Sequence, residues 1–163
     1  MSSATNKTSS QTKPSAASGE TTNISIDPQH PAILANCRSV AFASAGDKSA
    51  WLALYADDAV LRDPVGVSLL DPDGLGHRGK AAIATFWDNV IGPANISLTI
   101  QQQIISGDRH CAALQQVVNT LPNGEQTTVT MLASYAVDAQ GLITEMSAYW
   151  DMQALLAQMT PST

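Results

Sequence analysis

Asp63, which directly precedes Pro64, is a candidate catalytic base because of the residues around it. In the extended segment leading to it, Val60 and Arg62 point to one side, whereas Leu61 and Asp63 point to the other. A carboxylate that shares a face with an apolar side chain is unusual, because charged groups are rarely buried without a partner. Pro64 holds Asp63 in an extended conformation and ends the strand. We predict that desolvation there raises the pKa of Asp63 above the usual value of about 3.9 and makes it a better base.

The residue pattern also allows a structural role for Asp63. A carboxylate at a strand end can cap the following turn, and Arg62 and Arg78 are nearby candidates for an ion pair. An ion pair would lower the pKa of the carboxyl group rather than raise it. The surroundings of the carboxylate distinguish the two interpretations.

The other reactive side chains do not form a motif. Three histidines, His30, His77 and His110, fall in different predicted elements without the spacing of metal ligands. The two cysteines, Cys37 and Cys111, are too few for a disulfide scaffold, and we expect both to be small buried hydrophobic residues. Sequence motifs for acyl, phosphoryl and hydride transfer are missing. We therefore expect neither a metal nor a cofactor.

The composition is that of a single acidic domain with a substantial core. The 163 residues are 44% hydrophobic, and eight Lys and Arg oppose 14 Asp and Glu, for a net charge of -6. This charge, without any basic stretch, disfavours nucleic acid and anionic membranes as partners. There is no run of about 18 apolar residues and no apolar signal-peptide core at the N-terminus, so we expect a cytoplasmic protein with no membrane segment.

The chain divides into a tail and one domain. Residues 1–27 are rich in Ser, Thr, Ala, Gln and Asn and contain almost no large apolar side chains. Such a segment buries too little surface to offset its ordering entropy, and we predict that it is disordered. Residues 28–160 form the predicted domain.

Three helices are predicted in the first half of this domain. The first begins at Pro31, where a missing N–H is tolerated, and ends at Gly46. Asp47 is the predicted N-cap of a second helix that extends to Tyr55. The third follows Gly79 and has apolar residues at helical spacing, namely Ile83, Phe86, Trp87, Val90 and Ile91.

The second half is predicted to consist of four strands. They are Ile96–Ser106, Arg109–Leu121, Thr127–Val137 and Leu142–Asp151, separated by short turn sequences. Helices followed by antiparallel strands predict an α+β fold in which the helices cover one face of a curved sheet.

Four motifs together resemble the ketosteroid isomerase family, a SnoaL-like group of the nuclear transport factor 2-like superfamily. They are Tyr55-Ala-Asp-Asp-Ala, Asp63-Pro-Val-Gly, Gly76-His-Arg-Gly-Lys-Ala-Ala-Ile before Phe86, and Gly141-Leu-Ile-Thr-Glu-Met-Ser-Ala-Tyr-Trp150. The motifs keep the order of the family, and the similarity extends from about Pro31 to about Leu156. An added Asp-Pro-Asp-Gly turn, Asp71 to Gly74, resembles one subgroup of it.

The resemblance implies a cone-shaped fold in which three helices and a curved, mostly antiparallel sheet enclose a pocket. It implies that Asp63 is the general base and that the ligand is an apolar small molecule such as a steroid. It also implies a homodimer. The residues expected to contact the ligand are Ser39, Val65, Phe86, Met131, Tyr135 and Trp150, of which Trp150 matches a tryptophan that lines the pocket in the family. The alternative for Phe86, Met131 and Trp150 is ordinary core packing, and for Tyr135 it is a half-buried strand position with the hydroxyl in solvent.

The chain departs from the family at the groups that hold the substrate oxygen. In the family a tyrosine and a protonated aspartic acid donate hydrogen bonds to this oxygen. The corresponding positions here are Ser39 and Ala133. Loss of one such donor can cost roughly a hundredfold or more in rate. The candidate substitutes are Ser39 itself and Tyr135, which lies two residues after Ala133 and therefore on the same strand face.

Four functions are compatible with these observations. The first is a steroid delta-isomerase-like enzyme with Asp63 as base, and the second is a SnoaL-like polyketide cyclase, which also needs an acid in an apolar cavity. The third is a non-catalytic binding protein for steroids or similar molecules. The fourth is an interaction role, in which the outer face of the last strands forms a homodimer interface that includes Gln115, Thr128, Thr130 and Ser147.

Overall fold

Residues 26–160 are described by a computed structural model of the protein. The tail predicted for residues 1–27 lies outside this range, apart from Ile26 and Asp27. Within the described range, every helix is too short or too polar to cross a membrane.

The described residues form an α+β fold, as the sequence predicts. The helices are α1 (Pro31–Ala45), α2 (Lys48–Ala53), α3 (Lys80–Phe86), which continues into a π-helical turn at Trp87–Ile91, and α4 (Met152–Met159). The strands are β1 (Tyr55–Arg62), β2 (His77–Arg78), β3 (Ile96–Ser106), β4 (His110–Thr120), β5 (Gln126–Val137) and β6 (Ile143–Tyr149). The four predicted C-terminal strands are confirmed to within two residues at each end.

The strands form one sheet in the order β2-β1-β6-β5-β4-β3. The pairs are antiparallel except for β1 and β6, which run parallel with Arg62 opposite Ser147. Because these two strands run in the same direction, the residues that follow them lie at the same end of the sheet. This brings Asp63 next to Trp150, although 87 residues separate them in sequence.

The sequence signals for the first two helices act through capping. Gly46 takes the left-handed conformation, with φ of 69°, at the C-terminus of α1. The Asp47 carboxylate accepts a hydrogen bond of 3.0 Å from the backbone N–H of Ala50 and begins α2. The tight turn between these helices directs both of them against the sheet.

The core lies between the helices and the inner face of the sheet. Trp51 packs against Tyr55 and Trp87, with ring centroids 4.7 Å and 5.1 Å apart. At the centre of the sheet the inward residues are small, since Ala113 of β4 is paired with Ala133 of β5 and both are fully buried. The small alanine side chains leave space on this face, and the larger side chains around them enclose it as a cavity.

Several sequence expectations were wrong. Tyr55 begins β1 instead of ending a helix, because α2 is only six residues long and stops at Ala53. Gln115, predicted on the outer face, points inward with its paired neighbour Met131. Cys37 is exposed on α1, whereas Cys111 is buried as expected. A fourth helix, α4, follows β6, whereas the sequence predicted three helices only.

Candidate active site

A cavity of about 300 Å³ lies between the inner face of the sheet and the helices. This volume is at the lower end of the range for small-molecule sites. Most of its wall is apolar, and every helix contributes to it, as do strands β3 to β6. Apolar side chains around it include Phe86, Val90, Met131, Met146, Leu155 and Met159. Such a lining suits a flat apolar ligand more than a polar one.

Asp63 contributes a carboxylate to this wall. It directly follows the last residue of β1, and its peptide bond to Pro64 is cis. The indole N–H of Trp150 donates a hydrogen bond of 2.5 Å to its Oδ1. The carboxylate is therefore held by a neutral donor at the end of the neighbouring strand, facing a largely apolar space.

Burial raises the pKa of Asp63 to about 6. The cause is desolvation, which disfavours the charged form, and the hydrogen bond from Trp150 opposes part of this effect. A carboxyl group with this pKa is mostly ionised at neutral pH, yet it holds a proton more tightly than an ordinary aspartic acid. Both properties are useful in a group that must take up a proton and return it.

The two arginines proposed as ion-pair partners are not bonded to Asp63. Arg62 points to the other side of β1, where its Nη1 lies 3.1 Å from Oε1 of Glu145. None of the ion pairs among residues 26–160 includes Asp63 or Arg78. The elevated pKa of Asp63 is consistent with this lack of a cationic neighbour.

A second polar group at the cavity is the phenol of Tyr135. Burial raises the pKa of Tyr135 to about 12, while the nearby side chains of Ser39 and Asn36 oppose the shift and the charge of Asp63 adds to it. The hydroxyl therefore stays protonated at neutral pH and can act as a hydrogen-bond donor. Tyr135 lies on β5, two residues beyond the fully buried Ala133.

Ser39 and Tyr55 carry further hydroxyl groups close to Tyr135. Ser39 Oγ accepts a hydrogen bond of 3.1 Å from the indole N–H of Trp51, so the serine hydrogen remains available for donation. The hydroxyl of Tyr55 is buried and has no hydrogen-bond partner among the described residues. Burial raises the pKa of Tyr55 well above its usual range, and the nearby Tyr135 and Asp63 increase the effect.

Most of the residues expected to contact the ligand line this one cavity. Together with Asp63 they are Ser39, Phe86, Met131, Tyr135 and Trp150. Val65 differs, because its backbone N–H bonds to Ala148 O over 2.8 Å and its side chain is exposed rather than in the cavity wall. β1 ends at Arg62, so strand alternation does not extend to Val65.

The sequence interpretation missed two contributions to the cavity. One is Gln115, whose inward direction follows from its alternation with Cys111, Ala113 and Val117 on β4. The other is α4, which brings Leu155 and Met159 to the wall. Its signals are present in the sequence, since Asp151 accepts hydrogen bonds from the N–H groups of the first turn and the apolar residues of α4 recur at helical spacing.

Comparison with known proteins identifies a matching domain family and a steroid isomerase relative. Residues 38–146 match the SnoaL-like domain. The steroid Delta-isomerase of Nocardioides simplex is 34% identical over 105 residues, which are 64% of this chain and 77% of that protein.

Two solved structures have the same fold. The Delta 5-3-ketosteroid isomerase from Mycobacterium sp. is 40% identical with a TM-score of 0.72, covering 77% of this chain and 96% of its own. The protein RV0760c from Mycobacterium tuberculosis, in complex with estradiol-17beta-hemisuccinate, is 34% identical with a TM-score of 0.73, covering 77% of this chain and 98% of its own. The chain therefore belongs to the SnoaL-like domain family and, within the nuclear transport factor 2-like superfamily, to its ketosteroid isomerase-like members.

Proposed function

We propose that the protein is a cofactor-independent isomerase that moves a double bond next to a ketone in a steroid or a similar apolar substrate. The observation that carries the proposal is the carboxylate of Asp63 in the wall of an apolar cavity, with a pKa of about 6. The relatives support the substrate class, since two are steroid isomerases and a third is solved with an estradiol derivative.

The proposed reaction is an intramolecular proton transfer with Asp63 as general base. The ionised carboxylate removes a proton from the carbon between the ketone and the double bond, and the electron pair moves into an enolate. The protonated Asp63 then returns the same proton to the far carbon of the original double bond, which leaves the double bond conjugated with the ketone. Atoms and charge balance within the substrate and one side chain, and the base is regenerated.

The negative oxygen of the enolate needs a donor, and Tyr135 is the candidate on the cavity wall. Its phenol is protonated at neutral pH, and burial raises its pKa further above the usual range, to about 12. In a low-dielectric cavity, a fixed donor aimed at the developing oxyanion stabilises the transition state more than the same bond would in water. Ser39 is placed to assist, because the bond from Trp51 to its oxygen leaves its hydroxyl hydrogen free.

The test is turnover of a 5-ene-3-ketosteroid, followed by the absorbance of the conjugated product. Asp63→Asn removes the base but keeps an oxygen that can accept the bond from Trp150. We expect it to lower kcat by roughly 10²- to 10⁴-fold. Asp58→Asn is the matched control, since Asp58 is an exposed carboxylate on the same strand. If both variants retain wild-type turnover, Asp63 is not the base.

A non-catalytic steroid-binding protein is the second candidate. It is favoured by the fully buried Ala133, which offers no donor at a position where the resembling enzymes have one. For this function, calorimetry would give saturable steroid binding that is the same in the wild type and Asp63→Asn, and neither protein would turn over the substrate.

A further inference from the structure

A buried amide in the cavity wall has no partner in the protein. Gln115 is 1% exposed and lies among the cavity-lining residues, and neither Nε2 nor Oε1 makes a hydrogen bond among the described residues. Its paired neighbours across the sheet are Ile100 on β3 and Met131 on β5. The isoleucine side chain has no polar atom, and the methionine sulfur is only a weak hydrogen-bond acceptor. Buried amides are normally satisfied, so this one calls for an explanation.

Gln115 is remote from the carboxylate of Asp63. One row of paired residues across the sheet consists of Arg62 on β1, Ser147 on β6, Ser134 on β5 and Ala112 on β4. The strands β1 and β4 are therefore three strand spacings apart. Asp63 lies one residue beyond this row, and Gln115 lies three residues beyond it in the same direction. The two backbones are therefore roughly 14 Å apart across the strands and about 7 Å apart along them. The cavity has polar groups at two well-separated places.

The other polar side chains near Gln115 do not share its situation. Asn119, further along β4, already accepts a hydrogen bond of 3.1 Å from the backbone N–H of Asn95. Thr127, which is paired with Asn119 on the adjacent strand, carries a hydroxyl group and not an amide. Gln115 therefore remains the buried amide with both atoms unused on this side of the cavity wall.

We propose that Gln115 binds a second oxygen of the ligand, at the end opposite the group that meets Asp63. An amide presents both a donor and an acceptor, so it recognises either a ketone or a hydroxyl group. The inference rests on the proposed function for the substrate class. It narrows that class to elongated apolar ketones with an oxygen at the far end, such as a 3-ketosteroid that carries a ketone or hydroxyl group at carbon 17.

The test compares two unreactive ligands, a 4-ene-3-ketosteroid with a 17-ketone and the same steroid without an oxygen at carbon 17. Dissociation constants are measured by calorimetry for the wild type, Gln115→Leu and Gln115→Met. Gln116→Leu is the matched control, because Gln116 is the next residue on β4 and points to the opposite face. Turnover of the corresponding 5-ene substrates is measured in parallel.

We expect the wild type and Gln116→Leu to bind the 17-ketone about five- to tenfold more tightly than the deoxy steroid. In Gln115→Leu and Gln115→Met this preference disappears, while the deoxy steroid binds as well as before. Equal binding of both ligands by the wild type, or an unchanged preference in the Gln115 variants, overturns the inference even if the enzyme turns over. Preference lost in the Gln115 variants without turnover in any protein supports the inference and refutes the isomerase. If the wild type binds neither steroid, both fail.

Discussion

The indole N–H of Trp150 lies 2.5 Å from Oδ1 of Asp63 and joins the ends of two parallel strands. The bond favours the ionised carboxylate, whereas burial favours the neutral acid and has the larger effect. The proton affinity of the proposed base is therefore set by a balance between one hydrogen bond and the apolar cavity.

Trp150→Phe tests this balance. Removing the donor leaves desolvation unopposed, so the pKa of Asp63 rises further above 6. For a reaction that needs ionised Asp63, kcat/KM increases with pH up to the pKa and is then constant. We expect the midpoint of this profile to move up by roughly one pH unit in the variant. Tyr149→Phe is the control, as Tyr149 is the preceding aromatic residue and is exposed. An unchanged midpoint would contradict the role given to Trp150.

Asp63→Asn is expected to stabilise the fold at neutral pH. In the folded state the pKa of Asp63 is about 6, higher than in the unfolded chain, so folding disfavours the charge. Above pH 6 the wild type carries this cost in full, and below about pH 4 it disappears because both states are protonated. Asparagine carries no charge at any pH. Urea unfolding should show the variant to be more stable by about 1–3 kcal/mol at pH 7, with the difference vanishing near pH 4. A difference independent of pH would mean that Asp63 is not desolvated.

Tyr135→Phe tests the phenol as the donor to the enolate. Phenylalanine keeps the ring packing but removes the hydroxyl, so the bond that forms only as charge develops is lost. We expect kcat to fall roughly 10²- to 10³-fold, with little change in the binding of an apolar ligand that has no oxygen near Asp63. Tyr149→Phe again serves as the exposed control. Wild-type kcat in Tyr135→Phe would exclude the phenol as the oxyanion donor.

The sequence predicts the elements well because their signals are local. Gly46 and Asp47 mark a helix boundary through backbone conformation and capping, and the turn sequences separate strands whose limits are nearly correct. The order of four motifs also identifies the superfamily fold. These signals depend on neighbours within a few residues, which a sequence displays directly.

The site is only partly predictable because its geometry depends on pairings between distant residues. The bond between Asp63 and Trp150 requires β1 and β6 to be parallel, and composition alone does not specify that pairing. Val65, which was expected to contact the ligand, is exposed instead, because it lies beyond the end of β1. The inward direction of Gln115 follows from alternation, yet its unused amide becomes evident only when its neighbours on β3 and β5 are known.

Gly76→Ala should destabilise the fold, because the added Cβ would come too close to strand β1. Gly76 has φ of +85°, and a Cβ there would lie 2.8 Å from Cγ of Arg62 and 3.1 Å from the backbone O of Leu61. Gly124→Ala is the matched control, since Gly124 has φ of +86° but nothing within 4 Å of the added atom. Backbone strain alone costs about 1–2 kcal/mol in both variants. Denaturant unfolding should show a larger loss for Gly76→Ala, by roughly another 1 kcal/mol or more. Equal losses would show that the contact with β1 relaxes freely.

Gln158→Ala should loosen α4 and speed the release of a bound ligand. The Gln158 amide bonds to Thr128 on β5 twice, with Oε1 2.8 Å from the backbone N and Nε2 2.9 Å from the backbone O. These bonds hold the helix that brings Leu155 and Met159 to the cavity wall. Losing them removes roughly 1–2 kcal/mol of local stabilisation, so we expect the dissociation rate of a steroid to rise about three- to tenfold while its association rate changes little. Gln153→Ala is the control, because Gln153 is exposed on the same helix. Stopped-flow measurements give both rates, and hydrogen exchange should show faster exchange of the α4 amides in Gln158→Ala alone. Faster exchange in α4 without faster ligand release would mean that the helix does not control access to the cavity.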